Sequence, residues 1–327
     1  MKVTITIDLG GTNTRMAFME NQQVITEHHF LTKSIKTTAD LLASINQLIP
    51  DDLDSLTIAI GGAGPVIDEQ LQLTNYPLKI SRREIIEYFT SKYKVQLEVY
   101  LLNDLEALGY SLFSLQDQDY QQIAGPIRKP ELKGQLALIA PGTGLGEAYL
   151  LKGEVYPTEG GHTPFAPTNK EELELLTYYA LKRTNLSYES LLSGTGLVKI
   201  YKVLYEQENN KPFKGQLTPE SITKLIISDL KNKNTLEYKT IKIFLHILGH
   251  EAKNMVLRLK ATDGLFLGGN IANYLLPLLE KTSYFHTAFL SQKQQQKLLD
   301  NVPIYLITLP DAQLYGLAYY VNKKSSH

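Results

Sequence analysis

The stretch IDLGGTNTR, from Ile7 to Arg15, leads a hydrophobic segment into a pair of glycines and out again into a second hydrophobic segment. The residues before the glycines alternate apolar and polar side chains, which predicts a strand that ends at Leu9. Glycine tolerates positive φ and lets backbone N–H groups approach an anion with no Cβ in the way. Gly10 and Gly11 therefore predict a turn that holds phosphate, although an ordinary hairpin can use the same residues.

A carboxylate stands directly before this turn. Asp8 would repel a phosphate group, so we expect it to hold Mg²⁺, through water. The turn is not a Walker A loop, because no G-x-x-x-x-G-K-[ST] pattern occurs in the sequence. A strand–GxGxxG–helix unit is absent from the sequence as well.

The composition limits the class of protein. The 327 residues suffice for one large domain or two ordinary ones. Lysine plus arginine number 33 and aspartate plus glutamate 34, so there is no electrostatic reason to expect nucleic acid or an anionic membrane as a partner. Cysteine is absent, which excludes disulfides and thiolate metal sites. No signal-peptide pattern or membrane-spanning apolar run is found, so we expect a cytoplasmic protein.

The order of the predicted elements indicates a mixed α/β sheet. Three strands joined by tight turns come first, with the second turn at Asn21 and Gln22. A helix, a buried strand, a second helix, a further strand and the start of a third helix follow, and Ser81 with Glu84 predicts a capping box at the second helix. The order β-β-β-α-β-α-β predicts crossover helices and excludes a pure Rossmann winding.

A second cycle of the same kind begins at residue 135. The segment QLALIAPGTGLGEAYLLKGEVYPT again gives strand, glycine turn, strand, short turn and strand. Two such blocks predict a duplicated architecture with one phosphate loop in each half, and a pair of loops can clamp the β and γ phosphates of a nucleotide. Beyond Thr168 the pattern is mostly helical, with a first helix capped at Thr168 or Asn169. We found no low-complexity linker, so two domains should pack with a cleft between them.

Polar residues follow several predicted strands and turns. Asn103 and Asp104 end a hydrophobic strand, where α/β proteins bind ligands and where a carboxylate can accept a hydroxyl proton. Asp104 could instead cap the helix that follows. Glu159 and His162 flank two glycines, and Glu189 precedes another glycine segment, a set suited to the hydroxyls of a polyol or else an isolated surface pair.

Two further histidines, His246 and His250, lie four residues apart on a predicted helix, as metal ligands do. No third ligand or glutamate at the metalloprotease spacing accompanies them in the sequence, so a packing or solvent-facing role is favoured.

Taken in order, these segments resemble the bacterial glucokinase family, the ATP-dependent type within the actin–hexokinase–heat-shock-chaperone superfamily. The matching motifs are DLGGTNTR, GPV with LTNYPLKIS, LLNDLEA, PGTGLGEA, EGGHTPFAP, LLSGTGLVKIY and LGGNI. The resemblance implies an α/β fold: a two-domain actin-like ATPase with a ribonuclease H-like duplicated core and an interdomain cleft. It implies a small domain at 1–106 plus 311–327 and a large domain at 107–310.

The resemblance also implies the reaction and its residues. The γ-phosphate of MgATP would pass to the 6-hydroxyl of glucose, with Asp104 as the base, in a homodimeric enzyme. The implied ATP-binding residues are Asp8, Leu9, Gly10, Gly11, Thr12, Asn13, Gly142, Thr143, Gly144, Gly268 and Gly269. The implied sugar-binding residues are Asn75, Asn103, Asp104, Glu159, His162 and Glu189.

Four positions depart from the family pattern: Ile7, Leu78, Leu105 and Glu147. The departures at Leu78 and Leu105 predict a reshaped sugar pocket, so a kinase for another hexose or an amino sugar stays open. The related ROK sugar kinases normally carry a zinc-binding cysteine cluster, and the lack of cysteine disfavours them. A non-catalytic sugar-sensing homologue and an actin-like filament protein are further alternatives, and the presence of Asp104 with both glycine loops argues against an inactive form.

Overall fold

The computed structural model describes residues 2–20, 23–50, 52–74, 76–182, 184–228 and 232–325. In chain order the strands are β1 (Lys2–Leu9), β2 (Asn13–Glu20), β3 (Gln23–Leu31), β4 (Ser55–Gly62), β5 (Val66–Ile67), β6 (Gln70–Gln72), β7 (Lys79–Ser81), β8 (Gln96–Asn103), β9 (Tyr120–Ala124), β10 (Gln135–Pro141), β11 (Leu145–Leu151), β12 (Glu154–Thr158), β13 (Gly264–Leu267) and β14 (Ile304–Ile307). The α-helices are α1 (Thr38–Asn46), α2 (Arg82–Lys92), α3 (Asp104–Ser111), α4 (Lys170–Leu181), α5 (Tyr188–Leu191), α6 (Gly194–Asn209), α7 (Pro219–Ser228), α8 (Leu236–Leu259), α9 (Gly269–Tyr274), α10 (Leu276–Lys281), α11 (Tyr284–Phe289), α12 (Gln296–Leu299) and α13 (Ala312–Ser325).

The chain divides into two compact units. The first comprises Met1–Gln116 with Leu309–His327, and the second comprises Asp117–Thr308. The first unit extends past the boundary expected at residue 106, because α3 packs against α13 and so stays with the sheet that both helices cover. The structure is thus an α/β protein with a mixed sheet in each unit. Among the helices in the described ranges, none has the length and apolarity needed to cross a membrane.

The first unit is built on a five-stranded sheet in the order β3-β2-β1-β4-β8. β1 pairs antiparallel with β2 and parallel with β4, which in turn is parallel to β8. The central strand β1 is covered on both faces, and Ile5, Ile7 and Leu9 are fully buried there. Ile7, one of the departures from the family pattern, is therefore a core residue. The predicted strand–turn–strand order is confirmed, while the turn at Asn21 and Gln22 lies outside the described residues.

A small sheet, β5-β6-β7, follows β4 and was not predicted. Its strands have two or three residues, too few to show a periodic pattern. The turn between β5 and β6 places Asp68 and Glu69 at positive φ, 49° and 58°, where a sequence signal would be Asn-Gly or Asp-Gly. At α2, Glu84 N donates to Ser81 Oγ at 3.3 Å, which is the serine half of the predicted capping box.

The second unit is built on a six-stranded sheet in the order β12-β11-β10-β13-β14-β9. β10, β11 and β12 form the predicted antiparallel meander, and β13 and β14 run parallel to β10. The long helix α8 packs in the core of this unit, between the N-cap residue Thr235 and the C-cap residue Lys260, which has φ 57°. Of the two predicted caps for α4, the structure uses Asn169. The mostly helical pattern predicted beyond Thr168 includes α7, and residues 229–231 after it lie outside the described ranges.

Candidate active site

The first glycine turn is held from one side by a threonine. Thr32 Oγ1 donates to the Gly10 carbonyl at 2.6 Å, and Thr32 N donates to the Thr12 carbonyl at 2.9 Å. The Thr32 and Thr14 hydroxyls are 3.0 Å apart, and both residues are fully buried. A Cβ at position 10 would lie 2.7 Å from the Asn13 carbonyl oxygen, so only glycine fits this turn without a shift. The turn is therefore fixed by the fold.

Asp8 lies at the end of β1, opposite Arg15 on β2. Arg15 Nη1 lies 3.2 Å from Asp8 Oδ2, and Arg15 Nε lies 2.6 Å from Asp311 Oδ1. Burial raises the pKa of Asp8 to about 6, although the charge and hydrogen bond of Arg15 lower it and the charge of Asp311 raises it further. Because burial makes the ionised form of Asp8 costly, a nearby divalent cation would stabilise that form. Asp8 therefore fits the expected magnesium role.

Asn103 and Asp104 divide two tasks at the end of β8. Asn103 caps α3: its Oδ1 accepts from Leu105 N at 2.8 Å, and its Nδ2 donates to the Gly64 carbonyl at 3.1 Å. Asp104 is the first helical residue, and its Oδ1 accepts from Leu105 N at 2.9 Å. The helix cap is therefore Asn103, not Asp104.

The register of the first sheet brings these groups to one edge. Leu9 is paired with Gly62, and Gly62 is paired with Asn103, so β1, β4 and β8 end side by side. Neighbouring strands are about 4.8 Å apart, so the strand before the glycine turn and the strand before Asp104 are separated by about 10 Å. The first phosphate turn and the predicted base thus belong to the same edge of one sheet.

The departures near the predicted sugar pocket have different surroundings. Leu78 is 2% exposed and packs in the core of the first unit, so its effect on a bound sugar would be indirect. Leu105 is half-buried in the first turn of α3. Asn75, a predicted sugar ligand, lies outside the described residues.

The second glycine loop, between β10 and β11, is braced by two other segments of the second unit. Gly142 N donates to the Gly144 carbonyl at 2.8 Å, and the Gly142 carbonyl accepts from Gly194 N at 2.9 Å. Gly269, with φ 82°, lies so close that a Cβ there would be 2.6 Å from the Pro141 carbonyl oxygen. The predicted adenosine turn, Gly268 and Gly269, therefore adjoins the predicted phosphate loop, in which Thr143 is exposed.

The segment that touches this loop is the start of α6, to which we assigned no role from the sequence. Ser193 caps the helix by accepting from Gly196 N at 3.1 Å, and the Thr195 hydroxyl lies 3.1 Å from Ser193 Oγ. The N-terminus of a helix attracts anions through its free N–H groups and its dipole. The serine followed by an apolar 3.6-residue pattern was the available signal.

Glu159, His162 and Glu189 come together, as their proposed common role requires. His162 Nε2 lies 3.5 Å from Glu159 Oε2, and His162 Nδ1 lies 3.7 Å from Glu189 Oε1. Glu189 Oε2 also accepts from Leu145 N at 3.0 Å, directly after the second glycine loop. The predicted sugar residues of the second unit therefore adjoin its predicted phosphate loop, and they are not an isolated surface pair.

The turn that carries Glu159 and His162 is closely packed. Gly160 N donates to Thr158 Oγ1 at 3.2 Å, and Thr163 Oγ1 donates to the Gly160 carbonyl at 2.7 Å. A Cβ on Gly160 would lie only 2.0 Å from Glu147 Oε2. The turn therefore rests on the side chain of Glu147.

Glu147 itself is a buried acid. It is 1% exposed, and its Oε1 has no hydrogen-bond partner within the described part of the chain. Burial raises the pKa of Glu147 to about 8; the charge of Glu251 adds to this shift and that of Arg258 opposes it. Arg258 Nη1 is already 2.8 Å from Glu251 Oε1, so one cation serves two buried carboxyl groups. Glu147 is therefore protonated at neutral pH.

Comparison with known proteins identifies the family of this chain. The sequence model of the glucokinase family matches residues 5–324. The glucokinase of Stenotrophomonas maltophilia (strain K279a) is 30% identical over 96% of this chain and 93% of its own length. The glucokinase of Nostoc punctiforme (strain ATCC 29133 / PCC 73102) is 29% identical over 97% of this chain and 98% of its own length. The crystal structure of Balamuthia mandrillaris glucokinase in complex with glucose, at 24% identity, superimposes with a TM-score of 0.78 over 98% of this chain and 94% of that one, which shows the fold. The chain belongs to the glucokinase family.

Proposed function

We propose that this protein is an ATP-dependent glucokinase, which transfers the γ-phosphate of MgATP to the 6-hydroxyl of glucose to give glucose 6-phosphate and ADP. The observation that carries the proposal is the register that aligns the ends of β1, β4 and β8. This register supports a phosphate turn at Gly10 to Thr12 and a base at Asp104 on one edge of the sheet. A hexose that accepts the phosphoryl group can span the distance between the turn and the base.

In the proposed reaction, Asp104 accepts the proton of the 6-hydroxyl as the oxygen attacks the γ-phosphorus in line. A new P–O bond forms to the sugar, and the bond to the bridging oxygen breaks, which leaves ADP. The transition state is loose, so positioning and charge stabilisation supply most of the rate. Asn103 supports the base, because its cap and its bond to Gly64 hold the start of α3 in place.

The proposed nucleotide contacts come from both units. Backbone N–H groups of Gly10, Gly11, Thr12 and Asn13 would bind phosphate in the first unit, after Asp8 and Leu9. The second unit would add the 142–144 loop and the Gly268–Gly269 turn. Asp8 would hold Mg²⁺ through water, and the ion would neutralise charge on the phosphates.

A duplicated core accounts for the two loops. In each sheet the first strand of an antiparallel meander pairs on its other side with a parallel strand, which pairs in turn with a second parallel strand. These strands are β1, β4 and β8 in one sheet and β10, β13 and β14 in the other. The glycine loop follows the first strand in both cases. This repetition supports the actin-like two-domain architecture, in which a small domain carries the base and a large domain carries most sugar contacts.

The proposed sugar contacts use acceptors suited to hydroxyl pairs. The carboxylates of Glu159 and Glu189 flank His162 at 3.5 and 3.7 Å, which supports binding of adjacent hydroxyls by one group of side chains. Asn75 and Asn103 complete the proposed set. We further propose a homodimer that acts in the cytoplasm, where ATP is available.

The test is ADP release measured with a panel of hexoses and amino sugars, with and without Mg²⁺. We expect sugar-dependent turnover with glucose as the best acceptor, and a loss of at least about a hundredfold in kcat for Asp104→Asn. Asp117→Asn, which removes a surface partner of Lys129, is the matched control and should keep full activity. Full activity in Asp104→Asn would remove the base from the mechanism.

The same panel separates the alternatives. A different preferred sugar would indicate another hexose kinase, and ATP turnover without sugar dependence would favour a filament protein. Sugar binding without turnover would favour a sensor.

A further inference from the structure

The second unit holds a group of potential metal ligands away from the proposed active site. Glu172 of α4 meets His246 and His250 of α8, and one ligand atom from each lies within 4.8 Å of the other two. Glu172 and His250 are 1% and 5% exposed, and the His246 side chain is 26% exposed. The third ligand that the histidine pair lacks in the sequence is therefore present in the fold.

His246 Nδ1 lies within hydrogen-bond distance of two side chains, an amide and a carboxylate. Asn169 caps α4 through Oδ1, which accepts from Glu172 N at 2.9 Å, and this fixes its amide orientation. Its Nδ2 then lies 3.0 Å from His246 Nδ1. Because an amide NH₂ can only donate, a hydrogen bond between these two atoms requires a lone pair on Nδ1.

The same nitrogen faces a second acceptor. His246 Nδ1 lies 2.7 Å from Glu172 Oε1, and a carboxylate oxygen offers lone pairs only. Two lone pairs at this separation repel unless a positive centre lies between or beside them. A proton on Nδ1 that is donated to Oε1 removes this repulsion in the metal-free protein, and a metal ion that takes the place of that proton would accept both lone pairs.

The hydrogen bonds of the neighbouring atoms show which atoms of Glu172 and His250 face one another. Glu172 Oε2 is occupied, because Thr168 N and Thr168 Oγ1 donate to it at 2.7 and 2.8 Å. Oε1 is thus the oxygen turned to the histidines. His250 Nε2 is 2.7 Å from Thr168 Oγ1; because the single Thr168 hydroxyl proton goes to Glu172 Oε2, Nε2 donates to this oxygen in the metal-free protein and must release its proton to bind an ion. The two imidazole rings are 4.7 Å apart.

We propose that Glu172 Oε1, His246 Nδ1 and His250 Nε2 form a binding site for one divalent transition-metal ion of the Zn²⁺ class. Two imidazoles and a carboxylate are ligands that Zn²⁺ takes, with bonds of about 2.0–2.2 Å and ligand atoms therefore about 3.3 Å apart in a tetrahedron. The ion joins the start of α4 to α8 and stabilises the second unit. The site is independent of the proposed kinase reaction.

One positive group opposes the ion. Lys253 Nζ lies 2.9 Å from His250 Nδ1 and 2.9 Å from Ser291 Oγ. The positive charge of Lys253 weakens metal binding by repulsion. Removal of this charge in Lys253→Met should therefore make the protein bind the ion more tightly than the unmodified protein does.

The experiment uses the untagged full chain, stripped of metal with a chelator and titrated with Zn²⁺ in competition with a chromophoric chelator. We expect one Zn²⁺ per chain and an affinity at least tenfold weaker in His246→Gln. His286→Gln, an exposed histidine of α11, is the matched control and binds as the unmodified protein does. Circular dichroism verifies that His246→Gln is folded, and bound Co²⁺ reports the ligand geometry in its visible absorption.

His29→Gln separates a second source of binding, since Glu27, His29 and Asp311 form another group of potential ligands in the first unit. The proposal is overturned if no Zn²⁺ competes with the chelator, if His246→Gln and His286→Gln bind equally, or if binding is lost in His29→Gln instead. An ¹⁵N NMR spectrum of the metal-free protein that shows a proton on His246 Nδ1, unaltered by Zn²⁺, would overturn it as well.

Discussion

Replacing Glu147 by glutamine should remove a pH dependence from the stability of this protein. Glu147 is 1% exposed, and burial followed by the charge of Glu251 raises its pKa from 4.5 to about 8. Above pH 4.5 the unfolded chain has released this proton, while the folded chain keeps it until about pH 8. The folded state then binds more protons, so stability falls as pH rises through this window.

The magnitude follows from the size of the shift. Each pKa unit corresponds to about 1.4 kcal/mol, so the loss approaches a ceiling of about 4–5 kcal/mol above pH 8. At pH 7 it is about 3 kcal/mol, and at pH 5 it is below about 1 kcal/mol. Glutamine has the same shape and no proton to lose. The free energy of unfolding of Glu147→Gln minus that of the unmodified protein should therefore increase by about 2–3 kcal/mol between pH 5 and 7.

Urea unfolding followed by far-UV circular dichroism at pH 5, 6, 7 and 8 measures this difference. Transitions of the two compact units are fitted separately where they are resolved. Glu87→Gln is the control, because this exposed carboxylate pairs with Arg83 on the surface of α2. A constant difference between Glu147→Gln and the unmodified protein, whatever its size, would show that Glu147 does not carry the proton.

Two further substitutions test the glycine loops. Thr32→Val removes the hydroxyl that donates to the Gly10 carbonyl and lies beside the Thr14 hydroxyl. We expect the free energy of unfolding, measured in urea, to fall by about 1–3 kcal/mol and the KM for ATP to rise, while Thr32→Ser should stay near normal. Equal effects of valine and serine would contradict this. Gly269→Ala should cost more than Gly153→Ala, because both glycines have positive φ, 82° and 78°, but only at 269 would the new Cβ meet backbone. The shared φ penalty is about 1–2 kcal/mol, and the thermal midpoints of the two variants should differ beyond it; identical midpoints would refute the packing argument.

The sequence was most informative where a local pattern decides the structure. The alternation in Lys2–Leu9 and the glycine pair after it predict a strand and a turn, and both form as predicted. Asn103 and Asp104 were placed at a strand end for the same reason, and the rule that parallel strands end together then brings them to the edge that carries Gly10.

Contacts between distant segments could not be predicted from such patterns. The bond from Leu145 N to Glu189 joins residues 44 positions apart, and that between His246 and Glu172 spans 74 positions. Nothing near His246 in the sequence signals a carboxylate, because α4 and α8 meet only through the packing of the second unit. The small sheet after β4 was missed for a different reason, because strands of two or three residues are too short to show a periodic pattern.

Glu147 shows how a departure from the family pattern can be accommodated without loss of the site. In the sequence it introduces a charge after the second glycine loop. In the structure its side chain lies beneath Gly160, where the missing Cβ leaves room for the carboxyl group. Its raised pKa keeps that group neutral below about pH 8, so no net charge is introduced next to Glu159 and His162 at neutral pH. This arrangement requires Glu147 to keep its proton. The turn that carries Glu159 and His162 rests on Glu147, so it is the part of the second unit that alkaline pH should disturb first.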